Sequence, residues 1–411
     1  DGYGASLKLL KKLIVKEKPK LIIMLDCGSN ANETIKYLNK LEIESIIIDH
    51  HNINKPYPKS SGLINPKKDC NYQNLSLLCS AFLTYLFLDY CIKKNNSKVL
   101  IKDNLIYVLI ATITDVMPLR EINRYLSINI LKNFNLNKNF ILKSFFDIHK
   151  VKKKLDIDDL GFFIGPILNS AGRINNADKV VKLLTTQKES TKKKIISELY
   201  NLNLKRKDIE FINLRKININ KVNKKKEIIF IYNQTFPEGI IGILASRIKD
   251  YFNKPCVVFT LSGNKLKGSA RSTPDFNIGE FIDKGVKSKI LVSGGGHNLA
   301  AGVLLEKHNL EIFQTFLNNV YKKNNILTKN TYISKISLNS INKKKIQELD
   351  KIGPFGSHNL RPLFLIESVT VIKPMLIKEK FVSCYIKTKN SKLLKSISFH
   401  HIESKISSYL L

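Results

Sequence analysis

The chain has 411 residues, 43% of them hydrophobic, enough to bury a substantial core and to form two or three domains. Its 68 basic against 34 acidic residues leave a net charge of +34, which points to a polyanionic partner, nucleic acid first; over-use of Lys, Asn and Ile, as in an AT-rich genome, is the plainer source. Six scattered cysteines without C-x-x-C spacing argue against a zinc ribbon and a disulfide framework, and the apolar runs fall far short of the roughly 18 residues of a membrane span. In chain order, apolar segments at Leu7–Ile14, Leu21–Leu25, Ile35–Leu41 and Ile46–Ile48 alternate helical periodicity with short runs, the pattern of βαβ units around a parallel sheet. A Lys-rich amphipathic stretch without Pro or Gly, Glu189–Lys225, predicts one long connecting helix. Strands are expected at Ile228–Tyr232, Val257–Leu261 and Ile290–Val292, in a smaller α/β domain ending near Asn324. The tail predicts a helix around Lys343–Leu349, a Pro/Gly turn at Gly353–Gly356 and then alternating strands. No signal-peptide pattern is visible at the start, so a cytoplasmic protein is expected. A first residue Asp1 in place of Met reads as a chain that has lost its natural beginning.

Two of the apolar runs end in a carboxylate and a turn: Leu-Ile-Ile-Met-Leu-Asp26-Cys-Gly28 and Ile-Ile-Ile-Asp49-His50-His51. In open α/β sheets the functional crevice lies beyond the carboxyl ends of the strands, so these groups should converge there. A third apolar run ends in Asp115 before a turn at Pro118 and can add a carboxylate to the same rim. A lone strand-terminal Asp is most often a helix cap or turn residue. Three Asp and two His at the end of an apolar sheet are harder to explain that way, because unpaired they would cost several kcal/mol. Divalent cations are the natural compensation, and mixed oxygen and imidazole donors suit manganese or magnesium.

These residues resemble the second, third and fourth motifs of the DHH phosphoesterase family: Asp26-Cys27-Gly28, Asp49-His50-His51 and Ala111-Thr-Ile-Thr-Asp115-Val-Met-Pro118-Leu. The resemblance extends to the RecJ exonuclease branch through Gly2-Tyr3-Gly4, Asn123-Arg124, Pro166-Ile-Leu-Asn169-Ser-Ala-Gly172-Arg173, Gly239-Ile-Ile-Gly242-Ile-Leu-Ala-Ser246-Arg247, Gly268-Ser-Ala-Arg271-Ser272, Gly294-Gly295-Gly296-His297-Asn-Leu-Ala-Ala301-Gly302 and Pro354-Phe-Gly356. The order and spacing of these segments together carry the match. It implies an α/β fold: a parallel-sheet DHH domain (1–188), a connecting helix (189–225), a smaller α/β DHHA1 domain (226–324) and the start of a β-rich, OB-like domain (325–411). It also implies a metal-dependent 5′ to 3′ exonuclease that hydrolyses single-stranded DNA in repair and recombination. The alternatives are a DHH phosphodiesterase for oligoribonucleotides or cyclic dinucleotides, and a non-catalytic DNA-binding relative.

By the resemblance, Asp26, His50 and Asp115 are metal ligands, His51 faces the substrate phosphate, and Asp49 ligates or orients the histidines. The reaction implied is two-metal hydrolysis with Mn2+ or Mg2+, two ions in the complete protein and no covalent intermediate. The substrate side comprises Asn169, Arg173, Arg271, Ser272, Gly295, Gly296 and His297, with glycines that let backbone amides approach an anion. Implied partners are single-stranded DNA and a single-strand-binding protein or a helicase, with a monomeric chain and no membrane. The pattern departs from the family at Phe236-Pro237, where an aromatic-His pair is usual, and at Ser357-His358-Asn359, where Gly-Asn-Pro is usual. The Asp-rich first motif, which supplies further ligands in the family, is absent from the 411 residues, so the chain as it stands is expected to hold at most one manganese, weakly, and not to degrade DNA. His149, His308, His400 and His401 read as ordinary surface or core residues.

Overall fold

The computed structural model describes all residues except 1–3, 5, 175, 220–221, 223–225, 324–331, 378–380 and 400–404. Gly2, Tyr3, His400 and His401 therefore lie outside the described residues. The chain divides into two compact units, one of residues 1–169, 180–198 and 352–361 and the other of 170–179, 199–351 and 362–411.

The first unit begins with α1 (Leu7–Glu17), β1 (Leu21–Leu25), α2 (Asn32–Lys40), β2 (Glu44–Ile48) and β3 (Gly62–Ile64). The strands form a parallel sheet in the order β1-β2-β3. The isoleucine run of β2 suits a central strand with helices on both faces. Leu10, Ile35 and Leu38 pack with Met24 and Ile47 on one face. On the other, Ile48 meets Leu78, Phe82, Leu83 and Val108 of α3 (Ser80–Lys94), α4 (Leu105–Thr114) and the turn before them. Each fully buried Ile, Leu or Phe contributes ~1.5–3 kcal/mol. The run ending at Asp115 is thus a helix, and Asp115 is its C-cap. There follow α5 (Glu121–Asn133), α6 (Phe140–Ile148), a π-helical turn Asp159–Ile164, α7 (Gly165–Ile174), α8 (Asp178–Thr185) and α9 (Glu189–Arg215).

The long helix α9 starts where expected but ends at Arg215 rather than near Lys225. Beyond it Ile217, Ile219 and Val222 pack with Ile229, Phe236, Ile241 and Leu244, and burying them requires the chain to leave the helix. The second unit contains β4 (Ile229–Tyr232), α10 (Ile241–Phe252), β5 (Cys256–Ser262), β6 (Lys265–Arg271), α11 (Ile278–Lys287), β7 (Ser293–His297), β8 (Ala300–Glu306) and α12 (Leu310–Lys323). The sheet order is β4-β5-β6-β8-β7, parallel only between β4 and β5.

The strand expected at Ile290–Val292 lies instead at Ser293–His297, on the glycines themselves. Ile290 and Leu291 close the turn after α11, both donating to the carbonyl of Gly285, and Leu291 enters the core. Their apolarity serves that plug rather than a strand. The tail adds β9 (Ser334–Lys335), α13 (Lys343–Lys351), β10 (Phe364–Leu365), an antiparallel meander β11 (Thr370–Ile377), β12 (Phe381–Lys387) and β13 (Leu394–Ser398), and α14 (Lys405–Leu410).

Candidate active site

The first site residues stand where the ladder of the parallel sheet ends. Asp26 still donates its backbone N–H to Ile48, and Asp49 donates to Ile64, so both leave their strands in register. Asp26 has φ +61°, a left-handed conformation that Asp tolerates better than most residues. The imidazole of His50 is 1% exposed and forms the floor. Its Nε2 lies 3.4 Å from Asp26 Oδ1 and 3.1 Å from Asp115 Oδ2, while both carboxylates open to solvent. Asp26, His50 and Asp115 are thus brought together from β1, β2 and the end of α4.

Asp49 has a different place. It is buried, and its Oδ1 accepts from the backbone N–H of His50 (2.8 Å) and His51 (3.2 Å) and contacts His51 Nδ1 at 2.7 Å. Its Oδ2 accepts from Ser29 N at 3.1 Å. Donor atoms of Asp26, Asp49 and His51 also lie within 4.8 Å of one another. Two donor groups therefore share Asp26, and their oxygen and imidazole chemistry fits a hard divalent cation.

Charge follows the geometry. Burial raises the Asp26 pKa, but the His50 imidazole beside it outweighs that and holds the carboxyl below its ordinary value. Asp115 is pushed up by burial and by the Asp26 charge, against the opposing pull of His50. Burial likewise opposes ionisation of Asp49, yet its bonds to His51 and Ser29 prevail and place it well below the carboxylate range. The Asp49 hydrogen bond raises His51 against its own burial. Lys67 is lowered by burial, with Asp49 and Asp115 pulling the other way.

Sequence reasoning gave no site role to the residues that frame this site, Asn123 of the Asn123-Arg124 pair among them. Asn65 Nδ2 donates to Ser29 Oγ at 2.7 Å and to the His51 carbonyl at 2.9 Å, tying the two strand ends together. Asn123, wholly buried, donates to the carbonyls of Leu77 and Pro118. An Asn-Pro pair directly after the short run Gly62-Leu-Ile was the available signal for Asn65. No such signal marked Lys67, whose Nζ lies 3.4 Å from Asn52 Oδ1.

The expected substrate residues divide between the units. Asn169 is exposed on α7 in the first unit. In the second, Arg173 Nη1 donates to Gly239 O at 3.1 Å, and Arg271 Nη1 to Ser269 Oγ and to the carbonyl of Ala270. Ser272 differs from the expectation: it is buried and its hydroxyl donates to Phe276 O at 2.6 Å, so it shapes the turn after β6. Phe236 is also buried, and its carbonyl accepts from Thr260.

The glycine motif is the edge strand of a hairpin, with His297 opposite Ala300. At Gly296 a Cβ would lie 2.2 Å from the Ala300 carbonyl, so only glycine fits. Gly295 and its cross-strand partner Gly302 have nothing above them, leaving bare backbone open to solvent.

Comparison with known proteins gives three domain matches: the DHH family, N-terminal domain, over 5–113; the DHHA1 domain over 225–323; and the RecJ OB domain over 334–409. The single-stranded-DNA-specific exonuclease RecJ of Salmonella typhimurium is 29% identical over 389 residues, 89% of this chain and 67% of that protein. The protein of the same name from Escherichia coli is 28% identical, over 76% of this chain and 58% of its own length. That from Bacillus subtilis is 27% identical, over 96% and 50%. The chain thus spans half to two thirds of these relatives. Among solved structures, RecJ in complex with Mn2+ from Thermus thermophilus superposes with a TM-score of 0.80 at 21% identity, covering 96% of this chain and 58% of that one. Exonuclease RecJ bound to manganese gives 0.61 at 23%, over 79% and 80%.

Proposed function

Because the chain is a RecJ-like member of the DHH family, we propose that it serves a metal-dependent exonuclease that hydrolyses single-stranded DNA from the 5′ end. The observation that carries the reading is the convergence of Asp26 and Asp115 on His50 Nε2, at 3.4 and 3.1 Å. Asp26, His50 and Asp115 would hold one divalent cation, with Asp49 as a further carboxylate beside Asp26. Manganese or magnesium bound there would supply Lewis-acid chemistry toward a phosphodiester and a water; relatives of known structure carry these ions.

The protein's own groups prepare the reaction. Asp49 accepts a hydrogen bond from His51 Nδ1–H, which fixes the ring. With its pKa raised, His51 is more often an imidazolium and can donate to a phosphate oxygen. The open backbone at Gly295 and Gly302, with His297, Arg173 and Arg271, all of the second unit, is proposed to bind the strand; Asn169 of the first unit is proposed as a separate contact. Action in the cytoplasm, as a monomer recruited by a single-strand-binding protein or a helicase, belongs to the same proposal. No helix among the described residues is long and apolar enough to cross a membrane.

The test, on the protein with the family's first motif restored ahead of this chain, is incubation with manganese and single strands labelled at either end, cyclic dinucleotides, or short RNA. Early release of the 5′ label from DNA is expected. Preference for cyclic dinucleotides or short RNA would replace the reading with a small-substrate phosphodiesterase, and strand binding without hydrolysis would make it a scaffold.

A further inference from the structure

The loop that follows Asp115 is strained and held from a distance. Asp115 caps α4, Val116 N–H bonds to Ile113 O and Met117 N–H to Thr112 O, the double closure that normally places glycine in the left-handed position. Here that position is Val116, at φ +57°, and Glu121 at the other end of the loop is at φ +44°. A β-branched residue in this region is a genuine outlier, and such conformations persist only where the surroundings over-determine them.

The restraint comes from residues more than two hundred positions away. Leu119 N–H donates to the Ser357 carbonyl at 2.8 Å. Arg120 Nε donates to His358 O at 3.1 Å, and Arg124 Nη2 to Ile352 O and Gly353 O at 3.0 and 3.1 Å. The segment is closed on itself by reciprocal backbone bonds between Gly356 and Asn359 and by Asn359 Nδ2 to Pro354 O. It is pinned again where Arg361 meets Asp158 at 2.7 Å. Gly356 presses on Leu119 so closely that a Cβ would lie 2.6 Å from Leu119 Cδ1. Residues 352–361 belong to the same compact unit as Asp115.

We propose that the turn Ile352–Arg361 is a positioning strap for the Asp115 loop, with Arg120, Arg124 and Gly356 as positioning residues of the metal centre. The strap offers backbone carbonyls, not side chains, to the loop. The contacts therefore do not depend on which side chains stand at Ser357 and His358. It also ties the segment between α13 and the C-terminal meander to a metal ligand. The proposal rests on the functional reading above, and its test is arranged so that the two fail differently.

Manganese binding to the full chain is measured by calorimetry for the parent, Gly356→Ala, Arg124→Ala, and Gly356→Ala combined with Leu119→Val, which removes the atom the new methyl meets. Cooperative unfolding of each variant is checked alongside. Both single substitutions should weaken manganese binding by about tenfold, the scale of losses on removing an outer support of a metal ligand. The double variant should recover to within about threefold of the parent. Parent-like affinity in both single variants overturns the strap. A double variant no tighter than Gly356→Ala overturns the Gly356–Leu119 contact as its cause. Absence of manganese binding in the parent overturns the metal reading itself, and the strap with it.

Discussion

Asp26 is itself left-handed, and Asp115, an ordinary helix cap, is followed by left-handed Val116. Replacing Val116 by Gly removes a steric cost of ~1–2 kcal/mol against a smaller loss of chain entropy. Val116→Gly should therefore raise stability slightly in denaturant titration, and a clear loss would contradict the left-handed cap. The Asp49–His51 pair makes a second prediction, for protein kept free of metal. The raised pKa of His51 contributes stability that is complete below its unfolded value of ~6.5 and is lost as pH rises through the folded value. The depressed pKa of Asp49 contributes stability present above its unfolded value of ~3.9 and lost as pH falls through the folded one. Asp49→Asn should flatten the decline of stability above neutral pH in urea titrations with chelator present. An unchanged decline would show that the pair does not titrate as described.

At the scale of elements, the glycine hairpin separates folding from binding. Gly296→Ala sets a methyl 2.2 Å from the Ala300 carbonyl and should destabilise the second unit by ~1–3 kcal/mol. Gly295→Ala meets open space, should change stability by less than ~0.5 kcal/mol, and should weaken strand binding by covering bare backbone. Equal stability of the two variants in thermal unfolding would contradict the hairpin register. The same hairpin shows what the sequence could and could not reveal. Leu21–Leu25 and Ile46–Ile48 were legible as strands because short apolar runs stop at Asp26 and Asp49. Ile290–Val292 looked like another, but Ile290 and Leu291 plug a helix end, and the strand falls on glycines that no β-propensity favours. The end of α9 was equally hidden, since Ile217 leaves the helix only to meet a core built by residues after it. Asn65 and Asn123, which frame the site, bond to partners 36 and 46 positions away. Spacing along the chain does not encode such pairings.

For the whole molecule, the net charge of +34 predicts a strong electrostatic share in strand binding. The logarithm of the affinity for single-stranded DNA should fall steeply and linearly with the logarithm of salt, with a slope near −0.7 per phosphate contacted. A shallow slope, of about −1 or less in magnitude, would assign the excess charge to composition rather than function. The most direct test of the metal centre is calorimetric titration of manganese into the parent chain and its His50→Ala variant, because His50 is the buried floor on which Asp26 and Asp115 converge. The parent should bind manganese and the variant should bind it at least about tenfold more weakly while unfolding as cooperatively; equal binding by the two would contradict the assignment of the site.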